Sequence, residues 1–443
     1  MPRILIQNCD VLSVPDAATV EIQPARDILI DGAHIEAILP YGQADPGRFD
    51  ETLQAEGLLA MPGLINTHAH TPMVLFRGLA EDVPLAAWFN EYIWPLENNL
   101  IEEDVYWGMT LGIAEMLRAG VTTVNDHYFH MHQAAKAVED AGTRALLGWA
   151  VFSSGGTDLL EHSAAFVEDW QNAADGRIHT IIAPHAPYTC SDDFLRMCAD
   201  LATSLNTGIH IHASENHEQT RISLAKNGKT PIQVLEATGI LDRPTIVAHA
   251  CGATPEDITL LAKCGASVAH CPKTYMKLAM DIAPVVDLRA AGVPVGIGTD
   301  GAVSNNTMNL WEVLRIMALA QKEITREAES LSLSETLYVA TRGSAKALGM
   351  ENEIGALEPG YLADIALIDL SGLHHQPVHN AAANLVYNME TADVRTVLVN
   401  GRVVMRDRQL LTINEREVVA YAAAARERLS RRLPEQRIQT YAP

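Results

Sequence analysis

Between about residues 60 and 350, short β-branched or apolar runs alternate with segments of helical period, and this rhythm restricts the fold more than any other feature of the chain. Eight runs read as strands: "LLAMPGLINTHAH", "GVTTVNDH", "RALLGWAVFS", "IHTIIAPHA", "TGIHIHASE", "TIVAHA", "ASVAHC" and "VPVGIGTD". Helical stretches lie between them. In "IEEDVYWGMTLGIAEMLRAG", Val105, Met109, Ile113 and Met116 share one face and Gly120 suits the residue after the helix. In "TPEDITLLAKCG", Thr254 is the N-cap, Pro255 opens the helix and Gly265 ends it. Strand and helix in strict alternation imply a parallel sheet. Eight such units predict a closed (β/α)8 TIM-like barrel over residues 59–354. The alternative, an open doubly wound sheet, usually carries a glycine-rich turn after its first strand, and "THAHTPMVLFRGL" is not one.

The two ends read differently. "RILIQNCDVLSV" and "DILIDGAHIEAIL" near the start, and "YLADIALIDL" and "VLVNGRVVM" near the end, are hairpin-forming strands turning on Asp31-Gly32 and Asn400-Gly401. Neither end has enough strand to close a core alone. Residues 1–58 and 355–411 are therefore expected to pair into one small β-sandwich, leaving 412–443 as a C-terminal helix and tail. The chain is 48% hydrophobic without any apolar run of 18 residues, which argues against a membrane span. A net charge of −23 disfavours nucleic acid as a partner. The N-terminus lacks a signal-peptide pattern and the six cysteines form no C-x-x-C, so a cytoplasmic protein with free thiols is expected.

Most strand runs end in a polar or titratable residue: His70, Asp126, His185, His212, His249, His270 and Asp300. In a barrel these ends converge on one mouth. With 17 histidines in 443 residues, chance gives ~0.65 His-x-His pairs, and the chain has three. One of them, His68/His70, sits where alternate strand residues aim two imidazoles at one point. With His212 and Asp300 they supply three imidazoles and a carboxylate, the donor set of a zinc-type ion that keeps a water. The fourth strand ends in His185 without a lysine to bridge two ions, so one divalent metal is expected, Zn2+ or Fe2+. Glu215, three residues after His212, is placed to move protons at a substrate ring nitrogen and a leaving amine. His249 is read either as a fourth imidazole ligand or, the preferred reading, as orienting or deprotonating the attacking water with Asp300 from outside the ligand set. His210 is read as a packed neighbour, His127, His130 and His132 as loop or rim residues, and His270 as either a rim contact or a structural bond.

The segments "PGLINTHAH", "HAPYTCSDD", "HIHASE", "AHCPKTYMKLAM", "GTDGAVSNN" and "GALEPGYLADIALIDL", in this order, resemble the amidohydrolase superfamily, and within it the chlorohydrolase-like deaminase branch. The resemblance covers essentially the whole chain. It implies one metal on residues matching His68, His70, His212 and Asp300, proton transfer by Glu215, and His249 near the attacking water. It further implies hydrolytic loss of ammonia from an aminated purine. Glu97, in "AAWFNEYIWPLENNL", matches a glutamate that holds a ribose diol, and His185 a histidine that contacts the purine, which together favour a nucleoside substrate. Two departures bear on the substrate. "KTY" follows the seventh strand where many members carry a Ser-Asn-type turn, and "GWAVFSSGGTDLLEH" lacks the arginine expected for an S-adenosylhomocysteine carboxylate. Arg144 precedes its strand and lies too low to replace it. The expectation is 5′-methylthioadenosine or another small 5′-modified adenosine. Competing readings are a deaminase of guanine or a pterin, a triazine hydrolase, and a metal-free scaffold that only binds partners. A homodimer or larger assembly is expected.

Overall fold

The computed structural model describes residues 2–433 and 435–443; Met1, in the predicted first strand, and Pro434, in the tail, lie outside the described residues. The chain opens with β1 (Arg3–Ser13), β2 (Glu21–Asp31), β3 (His34–Pro40), β4 (Glu51–Gln54) and β5 (Leu58–Pro62). The turn falls on Gly32, φ +62°, and Ala33, one residue beyond the expected Asp31-Gly32 pair, because Asp31 still pairs with His34 as the last rung of the hairpin. β1 is long enough to pair with β4 through Ile4–Gln7 and with β5 through Asp10–Val11, so the sheet folds across it. Its apolar positions Ile4 and Ile6 pack with Ile28, Ile30, Ile365 and Leu367 into a core separate from that of the barrel.

The barrel follows with β6 (Leu64–His70), β7 (Val121–Tyr128), β8 (Arg144–Val151), β9 (Ile178–Pro184), β10 (Ile209–Ala213), β11 (Thr245–His249), β12 (Ser267–His270) and β13 (Val295–Ile297). Each strand pairs in parallel with the next. The ring closes through β14 (Asp300–Gly301), which pairs with β6 at Ala69 and His70. The eighth strand is thus interrupted at Gly298–Thr299. Asn66 holds the break, accepting from the Thr299 N–H at 3.0 Å and donating to its hydroxyl at 2.8 Å. The helix Glu102–Arg118 buries Val105, Met109, Ile113 and Met116 as their spacing requires, and the Thr254 hydroxyl caps the helix Pro255–Cys264.

β15 (Ile365–Asp369), β16 (Val394–Val399), β17 (Arg402–Arg406) and β18 (Gln409–Leu410) complete the first sheet. Asn400 and Gly401 both adopt positive φ, the signature of a two-residue hairpin turn. The ends of the chain meet where β15 runs antiparallel to β5. This revises one sequence reading. "LLAMPGLINTHAH" is not one barrel strand, because its first half, β5, belongs to the small sheet and the chain breaks at Gly63. A Cβ at Gly63 would lie 2.2 Å from the Thr122 methyl, so only glycine lets the chain cross from sheet to barrel there. The helix Glu415–Leu429 packs back on Glu102–Arg118, with Arg428 bonded to the buried Asp104 at 2.6 Å. No described helix is long and apolar enough to cross a membrane.

Candidate active site at the barrel mouth

Alternation along β6 points His68 and His70 to the barrel interior, and parallel register sets His212 and Asp300 at the same level. The ring nitrogens of His70 and His212 are each fixed from behind. His70 Nδ1 donates to the His127 carbonyl at 2.5 Å, and His212 Nδ1 donates to the His185 carbonyl at 2.7 Å. A carbonyl only accepts, so both Nε2 atoms are bare acceptors, yet they face each other at 3.2 Å. His68 Nδ1 bonds His210 Nε2 at 2.9 Å, which leaves His68 Nε2 buried and without a hydrogen-bond partner. Asp300 Oδ1 stands 3.4 Å from Nε2 of both His68 and His70, while its Oδ2 accepts from Ser304 Oγ at 2.9 Å. Lone pairs gathered this closely repel unless a cation lies among them. The donor set of three neutral imidazoles and one carboxylate therefore fits a divalent metal of the zinc type.

The electrostatics agree. Burial lowers the pKa of His68 and takes His212 well below the ordinary imidazole value, so these rings stay neutral and ready to coordinate. Burial alone would push the Asp300 carboxyl up, but the close approach of His68 and the nearby His70 and His249 outweigh it and hold Asp300 far below the usual range. His249 and Asp300 both sit at positive φ, +82° and +60°, a conformation costly for non-glycine residues and common at functional sites.

His249 joins His68 and His212 in a group whose ligand atoms fall within 4.8 Å of one another, and its Nδ1 is buried without a partner. Glu215 and Glu97 line the same cavity, with apolar walls that include Trp88, Phe89, Trp94, Phe152, Leu278 and Met280. Burial raises the Glu215 carboxyl to about 7, against the lowering effect of Gln219 and Tyr188. Gln219 also fixes the loop, its Oε1 accepting the Glu215 N–H at 3.0 Å. Burial raises Glu97 further, to about 8, with the Tyr128 hydroxyl beside it. His185 stands on the wall, stacked on Phe152 at 4.8 Å and bonded through Nδ1 to Thr189.

The histidines left open by the sequence divide. His127 is a cavity wall residue, its Nε2 donating to Ala183 and its carbonyl orienting His70. His130 and His132 face an adjoining cavity that also touches Glu97, and His132 accepts from Trp170 Nε1. His270 is fully buried against Tyr275, away from the cavity lining. Tyr128, Phe152 and Gln219 escaped the sequence reading. Tyr128 follows Asp126 and His127 on β7 and was within reach of it, whereas Phe152 and Gln219 carry no spacing signal.

A closed eight-stranded barrel whose C-terminal mouth gathers imidazoles and one carboxylate defines a metal-binding (β/α)8 protein. The chain belongs to the amidohydrolase family, whose model matches residues 59–404. A 5-methylthioadenosine/S-adenosylhomocysteine deaminase from Desulforudis audaxviator is 44% identical over 437 residues, 98% of this chain and 99% of that one. One of the same name from Pelotomaculum thermopropionicum is 41% identical over 98% of this chain and 100% of its own. Among solved structures, a zinc-bound adenosine deaminase from Xanthomonas campestris superposes with a TM-score of 0.91 at 35% identity, covering 96% of this chain and 98% of that one. A zinc complex of atrazine chlorohydrolase from Arthrobacter aurescens gives 0.85 at 26% identity, covering 97% of this chain and 100% of that one.

Proposed function

We propose that the protein is a metal-dependent hydrolytic deaminase that releases ammonia from an adenosine-type nucleoside, 5′-methylthioadenosine foremost. The observation that carries this reading is the shared cavity: two buried, proton-retaining carboxyls stand on the same walls as the imidazole–carboxylate cluster. The names of the curated relatives support the nucleoside class. We assign the ion to His68, His70, His212 and Asp300, and take it as zinc because solved relatives hold zinc.

When bound, the ion supplies an acidified water beside the substrate. The chain's own residues do the rest. Glu215, its pKa raised to about 7, is poised at neutral pH both to give and to take a proton, and its protonated form delivers one to the purine ring nitrogen as the carbon–oxygen bond forms. It then takes up a proton from the added hydroxyl and passes it to the amino group, which leaves as ammonia when the carbon–nitrogen bond breaks. His249, kept neutral by burial, orients the attacking water with Asp300. Glu97, which keeps its proton in the buried wall, meets the ribose diol with its carbonyl oxygen accepting and its hydroxyl donating, and His185, with the stacked Phe152, faces the base. The apolar walls exclude water and suit a thioether substituent.

The choice of a small 5′ group is supported by Arg144, which is bound to Asp364 at 2.9 Å and so is not free to hold a substrate carboxylate. Ammonia release from a panel of 5′-methylthioadenosine, S-adenosylhomocysteine, adenosine, guanine and a pterin is the test. The nucleosides are expected to lead, with 5′-methylthioadenosine ahead of S-adenosylhomocysteine. Silence on every aminated purine with metal-replete protein sinks the reading. Six free cysteines, five of them buried, suit a cytoplasmic enzyme, and we retain a homo-oligomer as the assembly to test by light scattering.

A further inference from the structure

Residues 438–443 return from the C-terminal helix to the barrel mouth, where Tyr441 is hydrogen-bonded to residues 222 and 351 positions earlier in the chain. The Asn90 side chain clamps Tyr441 on both sides, its Oδ1 accepting the Tyr441 N–H at 2.9 Å and its Nδ2 donating to the Tyr441 carbonyl at 3.2 Å. The Ile438 N–H donates to the Trp94 carbonyl at 3.3 Å. The Tyr441 ring stacks flat on Phe89, 4.8 Å between centroids at 9°, and meets Tyr188 edge-on at 5.4 Å. Its hydroxyl accepts from Gln219 Nε2 at 3.4 Å, and Gln219 is the residue that fixes the Glu215 backbone.

Phe89 and Trp94 are cavity walls, carried on the short helical turns Leu85–Glu97 that roof the mouth and end in Glu97. On that roof the tail meets Phe89, Asn90 and Trp94. One residue thus touches both the aromatic roof and the loop that carries the proton-transferring glutamate. We propose that Tyr441 is a positioning residue, and that residues 438–443 form a strap that locks the roof 85–97 against the Glu215 loop and so sets the affinity for the nucleoside. The ring fixes the wall on which the substrate packs; the hydroxyl ties that wall to Gln219. The inference rests on reading the cavity as the nucleoside site, but the strap itself is open to a measurement without substrate.

The test uses the full chain with Tyr441→Ala and Tyr441→Phe, read by hydrogen exchange of the peptide spanning 85–97 and by kcat and KM for 5′-methylthioadenosine. Losing the stacked ring is expected to speed exchange in 85–97 selectively and to raise KM about tenfold, with kcat within about threefold. Tyr441→Phe, which keeps the stack but loses the tie to Gln219, is expected to restore slow exchange in 85–97 and to leave KM between the parent's and that of Tyr441→Ala. Three results overturn the proposal: roof exchange at the parent rate in Tyr441→Ala, exchange raised evenly through the barrel, or an unchanged KM. If the parent protein turns over no nucleoside, the functional reading fails while the exchange data still decide the strap.

Discussion

At the residue scale, the site depends on protons held where burial makes charge expensive. Glu97 is the clearest case, with a folded pKa of about 8 against an ordinary 4.5. A carboxyl that binds its proton more tightly when folded contributes stability that is complete below about pH 4.5 and is lost as the pH rises through 8. Glu97→Gln removes this loss, so its melting temperature is expected to gain on the parent's between pH 5 and pH 8, at up to roughly 1.4 kcal/mol per pH unit. A constant gap across that range contradicts the buried acid. The same variant separates substrates: nucleoside kcat/KM is expected to fall about tenfold or more, because a hydrogen-bonding partner of the diol is weakened, while free bases change little. His210 makes a second case. It receives the His68 Nδ1–H and so leaves the His68 Nε2 lone pair facing the imidazole–carboxylate cluster proposed to hold the metal. His210→Ala is expected to cost about 10- to 100-fold in zinc affinity, measured by competition with a chelator, and parent-like affinity counts against its role.

At the element scale, the interrupted eighth strand decides where Asp300 stands. Between β13 and β14 the backbone crosses close to β6, and a Cβ added at Gly298 would lie 2.8 Å from the His68 carbonyl and 3.0 Å from both its amide nitrogen and the Cys271 sulfur. Backbone atoms on β6 have little room to yield. Gly298→Ala is therefore expected to destabilise the fold by about 1–3 kcal/mol and to lower metal content as His68 and Asp300 move apart. Calorimetry with elemental analysis reads both, and a variant that keeps its full metal complement shows that the strand break tolerates a side chain. The motif "GTD" announces a strand end in the sequence, but the break within the strand leaves no mark there. It arises because Asn66, on a different strand, accepts and donates at Thr299.

At the scale of the whole molecule, barrel and end sheet are joined by a buried ion pair. Arg144, at the start of β8, bonds Asp364 through Nε at 2.9 Å and Asn400 through a terminal nitrogen at 3.2 Å, with Arg144 1% and Asp364 4% exposed. Arg144→Met leaves the Asp364 carboxylate buried and without its cation, at an expected cost of about 3–5 kcal/mol. Denaturant unfolding measures this, and kcat/KM of the folded fraction is expected to stay at the parent value because the pair lies far from the mouth. Adding Asp364→Leu is expected to recover part of the loss, since an apolar pair in a dry site removes the unpaired charge.

The sequence by itself determined the alternation of strands and helices, the two hairpins, and the polar residue at the end of most strands, because these follow from local periodicity and from φ/ψ demands within a few residues. Once eight parallel strands must close, the gathering of His68, His70, His212 and Asp300 follows from the register of neighbouring strands. Only the tertiary structure decided that β5 leaves the barrel for the end sheet, that Asn66 interrupts the eighth strand, and that Tyr441 reaches Phe89 and Gln219. Each of those rests on one or two contacts between segments distant in the chain, and no local pattern of residues encodes a partner that arrives only when the whole molecule has folded.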